Sequence, residues 1–532
     1  MIKIHRFNKL FFFIFFFTSN LYVFSQDSKI IKIQQAGSFS KDEFNFPGAN
    51  ILKKENNIRV HLYHEGALIK SNTSFFYPKK NFFSANGNIV FNQGDSLFLN
   101  SDHIEYDGKI KKIKAWGNVK LRNEEMKLYT DTLYLDRINS IAFYKTPGKI
   151  IDKSSTLNSN EGTYFLNEKK YRFIKNVKIR NPEYNLNSSR LDYFVLNEDS
   201  FFYGPSKIVG KDYEIYCESG YYNSKIEKGN FKKNAVIHYN NKIIKGDSLY
   251  FENDNRYASA SKNVKIFDTI NNSIIRGNYG EVFKSKDSAI ITKNPIAINI
   301  IENDSLYISA DTIILTGKDK NRLITAYYDV KILNSDLKGK SDSLSFRESD
   351  QLIKLIKKPL TRKENQILNI NQKNMRNPIL WFEKSQLSGN LIHLLTDSSN
   401  SKLDSIYIFD NTFIAEEDTL NKDGFNQIKG KNLYGNFENG NLKNIKVDKN
   451  TEVIYYMYTE ENELIGINKT ICSSIEMKMD KNEIEEITFF TLPDGKVNPE
   501  KTIDENQLFL DGFTWRINEM PKSVNDLNNW WN

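Results

Sequence analysis

Short runs in which apolar and polar residues alternate fill this chain, and the runs themselves recur. One pattern, a small or basic residue, then Asn or Asp, then apolar-x-apolar, appears as Gly87-Asn88-Ile89-Val90-Phe91, Gly117-Asn118-Val119-Lys120-Leu121 and Lys175-Asn176-Val177-Lys178-Ile179. It returns as Lys233-Asn234-Ala235-Val236-Ile237, Lys262-Asn263-Val264-Lys265-Ile266 and Tyr328-Asp329-Val330-Lys331-Ile332, with looser copies near Gly148, Pro205, Pro295 and Pro359. Nine steps between residues 88 and 358 give a mean period of 30 residues. Between these marks lies a second element, seen as Asp95-Ser96-Leu97, Asp131-Thr132-Leu133, Asp247-Ser248-Leu249 and Asp342-Ser343-Leu344. Alternation with period two, bounded by Gly, Asn and Asp, predicts at least two short strands per repeat, and helical periodicity is nearly absent. A single unit of this kind cannot bury its own apolar face, so neighbours must stack. The expected product is all-β, an elongated stacked array; ten to twelve repeats at ~4.8 Å per strand would run roughly 100 Å.

The apolar members of each run are spaced i, i+2 and therefore share one face of a sheet. Leu97 and Leu99, Val119 and Leu121, Leu133 and Leu135, Val177 and Ile179, Leu249 and Phe251, and Val264 and Ile266 form such pairs. Stacked, they make a continuous apolar stripe, either the packed core of a solenoid or the lining of a trough that accepts acyl chains. Lys120, Lys178, Lys265 and Lys331 alternate with them and should face away. Asp95, Asp131, Asp247 and Asp342 recur with the repeat and are expected to cap turns just ahead of a strand.

Composition narrows the class. The 532 residues carry 37 Phe and 28 Tyr but only 11 Pro, which excludes a disordered chain. Mean hydropathy is −0.55, and no segment after the first 25 residues supplies the ~20 consecutive apolar residues of a membrane helix. Lys3, Arg6 and Lys9 precede an apolar stretch from Leu10 to Phe17 and then Val23-Phe24-Ser25. This is the layout of a cleavable secretory signal over residues 1–25, predicting export to the periplasm. Its removal lowers the net charge from +8 to +5, too mild to suggest nucleic acid as a partner. Cys217 and Cys472 are too few and too far apart to make a disulfide framework, and buried free thiols are expected.

Catalytic signatures are lacking. His61 and His64 would face opposite sides of a strand, a weak metal signal, and no nucleophile elbow, zinc-protease or phosphate-loop motif occurs. No cofactor, metal site or catalytic residue is assigned, and the chain reads as a binding protein and not an enzyme.

Several motifs together resemble a known family. They are Ala85-Asn86-Gly87-Asn88-Ile89, Tyr106-Asp107-Gly108, Ala115-Trp116-Gly117-Asn118-Val119, Ser385-Gln386-Leu387-Ser388-Gly389, Phe425-Asn426-Gln427-Ile428-Lys429-Gly430, Asp511-Gly512-Phe513-Thr514-Trp515-Arg516 and Pro521-Lys522-Ser523. In order and spacing the chain resembles the OstA-like proteins, the LptA-like or organic-solvent-tolerance family, in the long form of Bacteroidetes. Where that family is expected to carry a Cys-Asp-Ser-Ala-like stretch, this chain has Ile69-Lys70-Ser71-Asn72-Thr73. The resemblance implies a twisted β-jellyroll, or β-taco, that carries or bridges lipopolysaccharide or a related glycolipid to the outer membrane. It also implies inner- and outer-membrane transport components joined by end-to-end strand stacking. The expected layout is OstA-like repeats over 27–200, 201–360 and 378–520, a polar loop or insertion at 361–377, and a loose tail at 521–532. Two other readings remain open: a parallel β-helix that binds or cleaves polysaccharide, and an outer-membrane β-barrel component suggested by Trp530-Trp531.

Overall fold

A computed structural model describes residues 30–527, apart from 96, 125, 153–154, 240, 271, 300–304, 319–320, 336, 383, 398–401, 422, 439–440, 481–482, 500–502 and 505–506. The expected export segment, residues 1–25, and the Trp530-Trp531 pair lie outside the described residues. The chain divides into two compact units, Met1–Lys153 and Ser154–Asn532.

Within each unit the strands form a meander of antiparallel rungs. In the second unit, Lys228–Tyr239, Lys242–Glu252, Tyr257–Asp268 and Ser273–Phe283 pair consecutively in this way. Each 30-residue repeat is therefore two rungs, one out and one back. Every pairing among the described strands is antiparallel, which corrects the parallel β-helix alternative.

The repeat mark has a conformational cause. Lys233 and Asn234 both lie in the left-handed region (φ 57° and 53°), as do Lys262 and Asn263 (59° and 50°) and Gly117 and Asn118 (75° and 50°). The strand register slips at the same points, between Lys232 and Ala235 and between Ser261 and Val264. Two successive left-handed residues bend a strand sharply, and Gly and Asn tolerate that region best. Each long strand is thus folded at its middle into two arms, and the Asn that marks the repeat is its corner.

Corner residues on neighbouring rungs bind one another. Asn118 Nδ2 donates to Asp102 (2.7 Å), Asn234 Nδ2 to Glu218 (2.8 Å) and Asn263 Nδ2 to Asp247 (3.2 Å). This corrects the reading of the recurrent aspartates as turn caps. Asp131, Asp247 and Asp342 lie inside the strands Lys127–Asp136, Lys242–Glu252 and Leu337–Arg347. For Asp247 and Asp342 the adjacent rung presents a donor, Asn263 and the Lys358 amide (2.6 Å), whereas Asp131 accepts from the Thr132 hydroxyl beside it (2.8 Å). Asp95 alone sits in a turn between strands.

The polar stretch 361–377 is an insertion carrying two short helices, Arg362–Ile367 and Ile370–Asn374. Thr361 and Glu364 close a capping box at the start of the first. Lys357 Nζ donates to the Lys373 carbonyl (2.9 Å) and to Asn377 Oδ1 (2.6 Å), fastening the insertion to the rung before it. The stretch from Pro521, expected to be a loose tail, is seated as far as Leu527, which is buried against Ile296, Ile298 and Leu333.

Candidate functional site

The apolar positions form ladders across the rungs. In the first unit, Ile69, Phe91, Leu99, Leu121, Leu128 and Ile150 are cross-strand neighbours in that order, and all are buried. On the other arm Leu133 continues the row of Ala85, Ile104 and Ala115, and Leu135 that of Phe83, Tyr106 and Ile113. In the second unit Ile179 starts a row through Leu186, Ile208, Ile215, Ile237, Ile244 and Ile266. Leu249 stands between Phe231 and Ala260 on the facing arm, and Phe251 between Gly229 and Ala258. Val177 is paired with Ser188 and Val264 with Gly277 beside the corner.

Of the twelve residues predicted to line an apolar face, eleven are buried; Leu97, beside a turn at its strand's end, is half-buried. They form several parallel rows on two arms, where the sequence suggested a single stripe. Lys120, Lys178 and Lys265 are exposed between them, as alternation requires, whereas Lys331 is half-buried.

In the first unit the interior is clasped by polar groups. His64 Nδ1 lies 2.6 Å from the Tyr106 hydroxyl, and Arg137 donates to that hydroxyl (2.7 Å) and to the Glu65 carbonyl (2.8 Å). Burial pushes the Tyr106 phenol up, against the opposing pull of Arg137. His61 falls on the opposite side of its strand, where burial and the charges of Lys70 and Arg59 lower its pKa. Cys217 and Cys472 are free and buried, and burial pushes the Cys217 thiol up to about 12.

An apolar cleft lies in rungs of the second unit, away from the twelve positions predicted to line an apolar face. Leu380 and Leu387 on one arm face Leu394, Ile406, Leu433 and Ile445 on the other across an entirely apolar cleft. The cavity between the walls is about 10 Å³. That is room for about one water, so the two walls nearly touch. The same i, i+2 alternation is present here, in Leu380-x-Phe382 and Leu433-x-Gly435, but beyond the insertion the Asn mark that sets the register is irregular.

The outer side of one arm carries a second arrangement. A row of outward residues runs from Lys178 through Asn187, Lys207, Tyr216, Val236, Lys245 and Lys265 to Arg276, and continues in register through Ile296, Ser309, Lys331, Lys340, Ile379 and Ser388 to Phe413. Its later half is covered by the chain's own segment from Ile503 to Leu527. Leu510, with Leu508, Phe513 and Trp515, packs on Phe413, Ala415, Ile454, Tyr456 and Ile467.

Two buried glutamines grip the backbone of this strap. Gln427 donates to the Leu508 carbonyl (2.8 Å) and accepts from the Leu510 amide (2.9 Å). Gln386 does the same with Thr514 (2.7 Å) and Arg516 (2.7 Å). Each carboxamide imitates a neighbouring strand. The buried Arg516 donates to the Asn377 carbonyl (2.8 Å) and, through two nitrogens, to Glu519, which Lys340 also reaches (2.8 Å). Burial raises the Glu519 carboxyl, but hydrogen bonds from Arg516 and Lys340 outweigh it and hold the group at about 2. The one signal in the sequence for this clamp is the shared Gln-apolar-x-Gly of Gln386-Leu387-Ser388-Gly389 and Gln427-Ile428-Lys429-Gly430.

No curated protein matches the chain significantly. Residues 28–189, under a third of the chain, match the family model described as OstA-like protein.

Proposed function

We propose that this protein binds lipopolysaccharide or a related glycolipid in the periplasm and carries or bridges it to the outer membrane, holding the acyl chains between its two arms. The observation that carries this reading is the cleft between Leu380 and Leu387 on one side and Leu394, Ile406, Leu433 and Ile445 on the other, where both walls are apolar and no polar side chain contributes. The OstA-like match over residues 28–189 supports it through the family's lipid-transport setting. The interior is nearly closed, so acyl chains enter by parting the arms, which hinge at the left-handed corners. Burial of methylenes at ~25 cal/mol per Å² would offset the lost contact between the walls. Because no single contact is strong, release is easy. An outer-membrane barrel is disfavoured, since barrels face lipid outward and here the apolar rows point inward.

End-to-end joining to membrane components has a structural opening. Among the described residues, Lys32–Gln35 and Ser38–Ser40 pair on one side only, as do Glu483–Phe490 and Asp494–Asn498. Such edges accept an added strand.

The test is photocrosslinking in cells with Leu433→p-benzoylphenylalanine, compared with the same group at the exposed Lys232 on the other arm. Crosslinks to glycolipid at position 433 and none at 232 are expected. Equal labelling at both positions, or none at 433, would overturn the reading.

A further inference from the structure

The outward row between Lys178 and Arg276 has a charge distribution that the interior does not require. Over eight successive rungs it presents five cations, Lys178, Lys207, Lys245, Lys265 and Arg276, and no carboxylate. The outward row of the other arm, over the same eight rungs, runs Arg172, Asp192, Phe201, Tyr221, Asn230, Tyr250, Ser259 and Glu281. It holds one cation and two carboxylates, and Arg172 and Asp192 neutralise each other at 2.8 Å. The two outer faces share backbone geometry and rung count, so the difference is one of side-chain choice.

On the basic face the next row outward adds Arg180 and a single carboxylate, Glu214, which pairs with Lys207 at 2.8 Å. Six cations and one carboxylate give these two rows a net charge of +5. That equals the net charge of the whole chain without residues 1–25. Lys178, Lys245 and Lys265 are exposed, and among the described residues no side chain forms an ion pair or hydrogen bond with their amines.

We propose that this face of the second unit docks on the surface of an anionic phospholipid bilayer. Seven steps of ~4.8 Å spread the cations over about 34 Å, a distance no single headgroup spans. They do not converge on a pocket, as they would for one bound phosphate. A broad sheet face with charges at intervals matches a planar array of headgroups, and each Lys or Arg near such a surface adds attraction that salt screens. Asn187, Tyr216 and Val236 between them add no acidic group to repel it. The inference does not depend on what occupies the interior.

The experiment is co-sedimentation of the whole protein with vesicles of one part phosphatidylglycerol to two parts phosphatidylcholine, and with phosphatidylcholine alone. Binding to the anionic vesicles only is expected, with loss at about 1 M salt, where the screening length is about 3 Å. The variant K178Q/K245Q/K265Q should bind at least about tenfold more weakly with an unchanged melting temperature. The control K225Q/K232Q/K286Q removes the same charge from exposed sites outside these rows and should retain binding. Equal loss in both variants would overturn the proposal, reducing it to net charge. Equal binding to neutral vesicles, or binding to a soluble polyanion such as heparin without binding to vesicles, would also overturn it.

Discussion

The outer face of one arm of the second unit is decorated in two opposite ways along a single unbroken register. From Lys178 to Arg276 five of the eight outward positions are basic and the four lysines among them are exposed; from Ile296 to Phe413 the outward positions are largely apolar or buried and lie under the strap. Backbone geometry is the same in both zones. What differs is the cover: outward apolar residues are stable only where another part of the chain removes them from water. The interior rows, by contrast, change little in character between the two zones, because both arms always face each other there. An outward residue therefore reports on partners, whereas an inward residue reports on the fold.

The largest effect is expected at the glutamine clamps. Gln386→Leu with Gln427→Leu leaves two carbonyls and two amides of the strap without partners, at about 1–3 kcal/mol for each buried group. The double variant should lose several kcal/mol of stability in denaturant titrations and expose the Leu510 and Arg516 amides to hydrogen exchange. Unchanged exchange would show that the apolar contacts alone hold the strap.

Exchanging the two decorations sharpens the contrast. Phe413→Lys puts into the covered zone the residue that the open zone uses and should cost about 3 kcal/mol. Lys245→Leu, the reverse change in the open zone, should stay within about 0.5 kcal/mol. Thermal unfolding measures both, and similar losses would mean that the zones do not differ in cover.

The smallest effect is a pH dependence confined to the strap. The Glu519 carboxyl titrates at about 2 in the folded protein against an ordinary 4.5, so its contribution is complete above about pH 5. It falls away as pH drops through that interval and is absent below about pH 2. Trp515 fluorescence should report a loosening of the strap worth on the order of 2 kcal/mol over this range. Glu519→Gln should remove that pH dependence.

Much of the fold was legible because its causes are local. Asn118, Asn234 and Asn263 mark corners since the left-handed backbone there favours Asn or Gly, so the 30-residue period is visible in the residues themselves. Burial of Val119, Ile179 and Ile266 follows from alternation alone. The aspartates were misread because a carboxylate beside Ser or Thr resembles a turn cap; that Asp247 sits mid-strand and receives Asn263 depends on a neighbouring rung. Lys331 faces outward as alternation requires, but only the folded strap supplies its partner, the Asp526 carbonyl that accepts from its amine (3.2 Å).

The all-β class, the rung period, the inward rows and the outward lysines are written in the residues, because each depends on positions a few apart. Where the arms leave a cleft and which outward face is covered follow only from the folded chain. Gln386 lies 128 residues from its partner Thr514, and Gln427 lies 81 from Leu508. No periodicity in the chain encodes contacts at those separations. They arise only when the stacked rungs bring a finished sheet face within reach of a segment synthesised later.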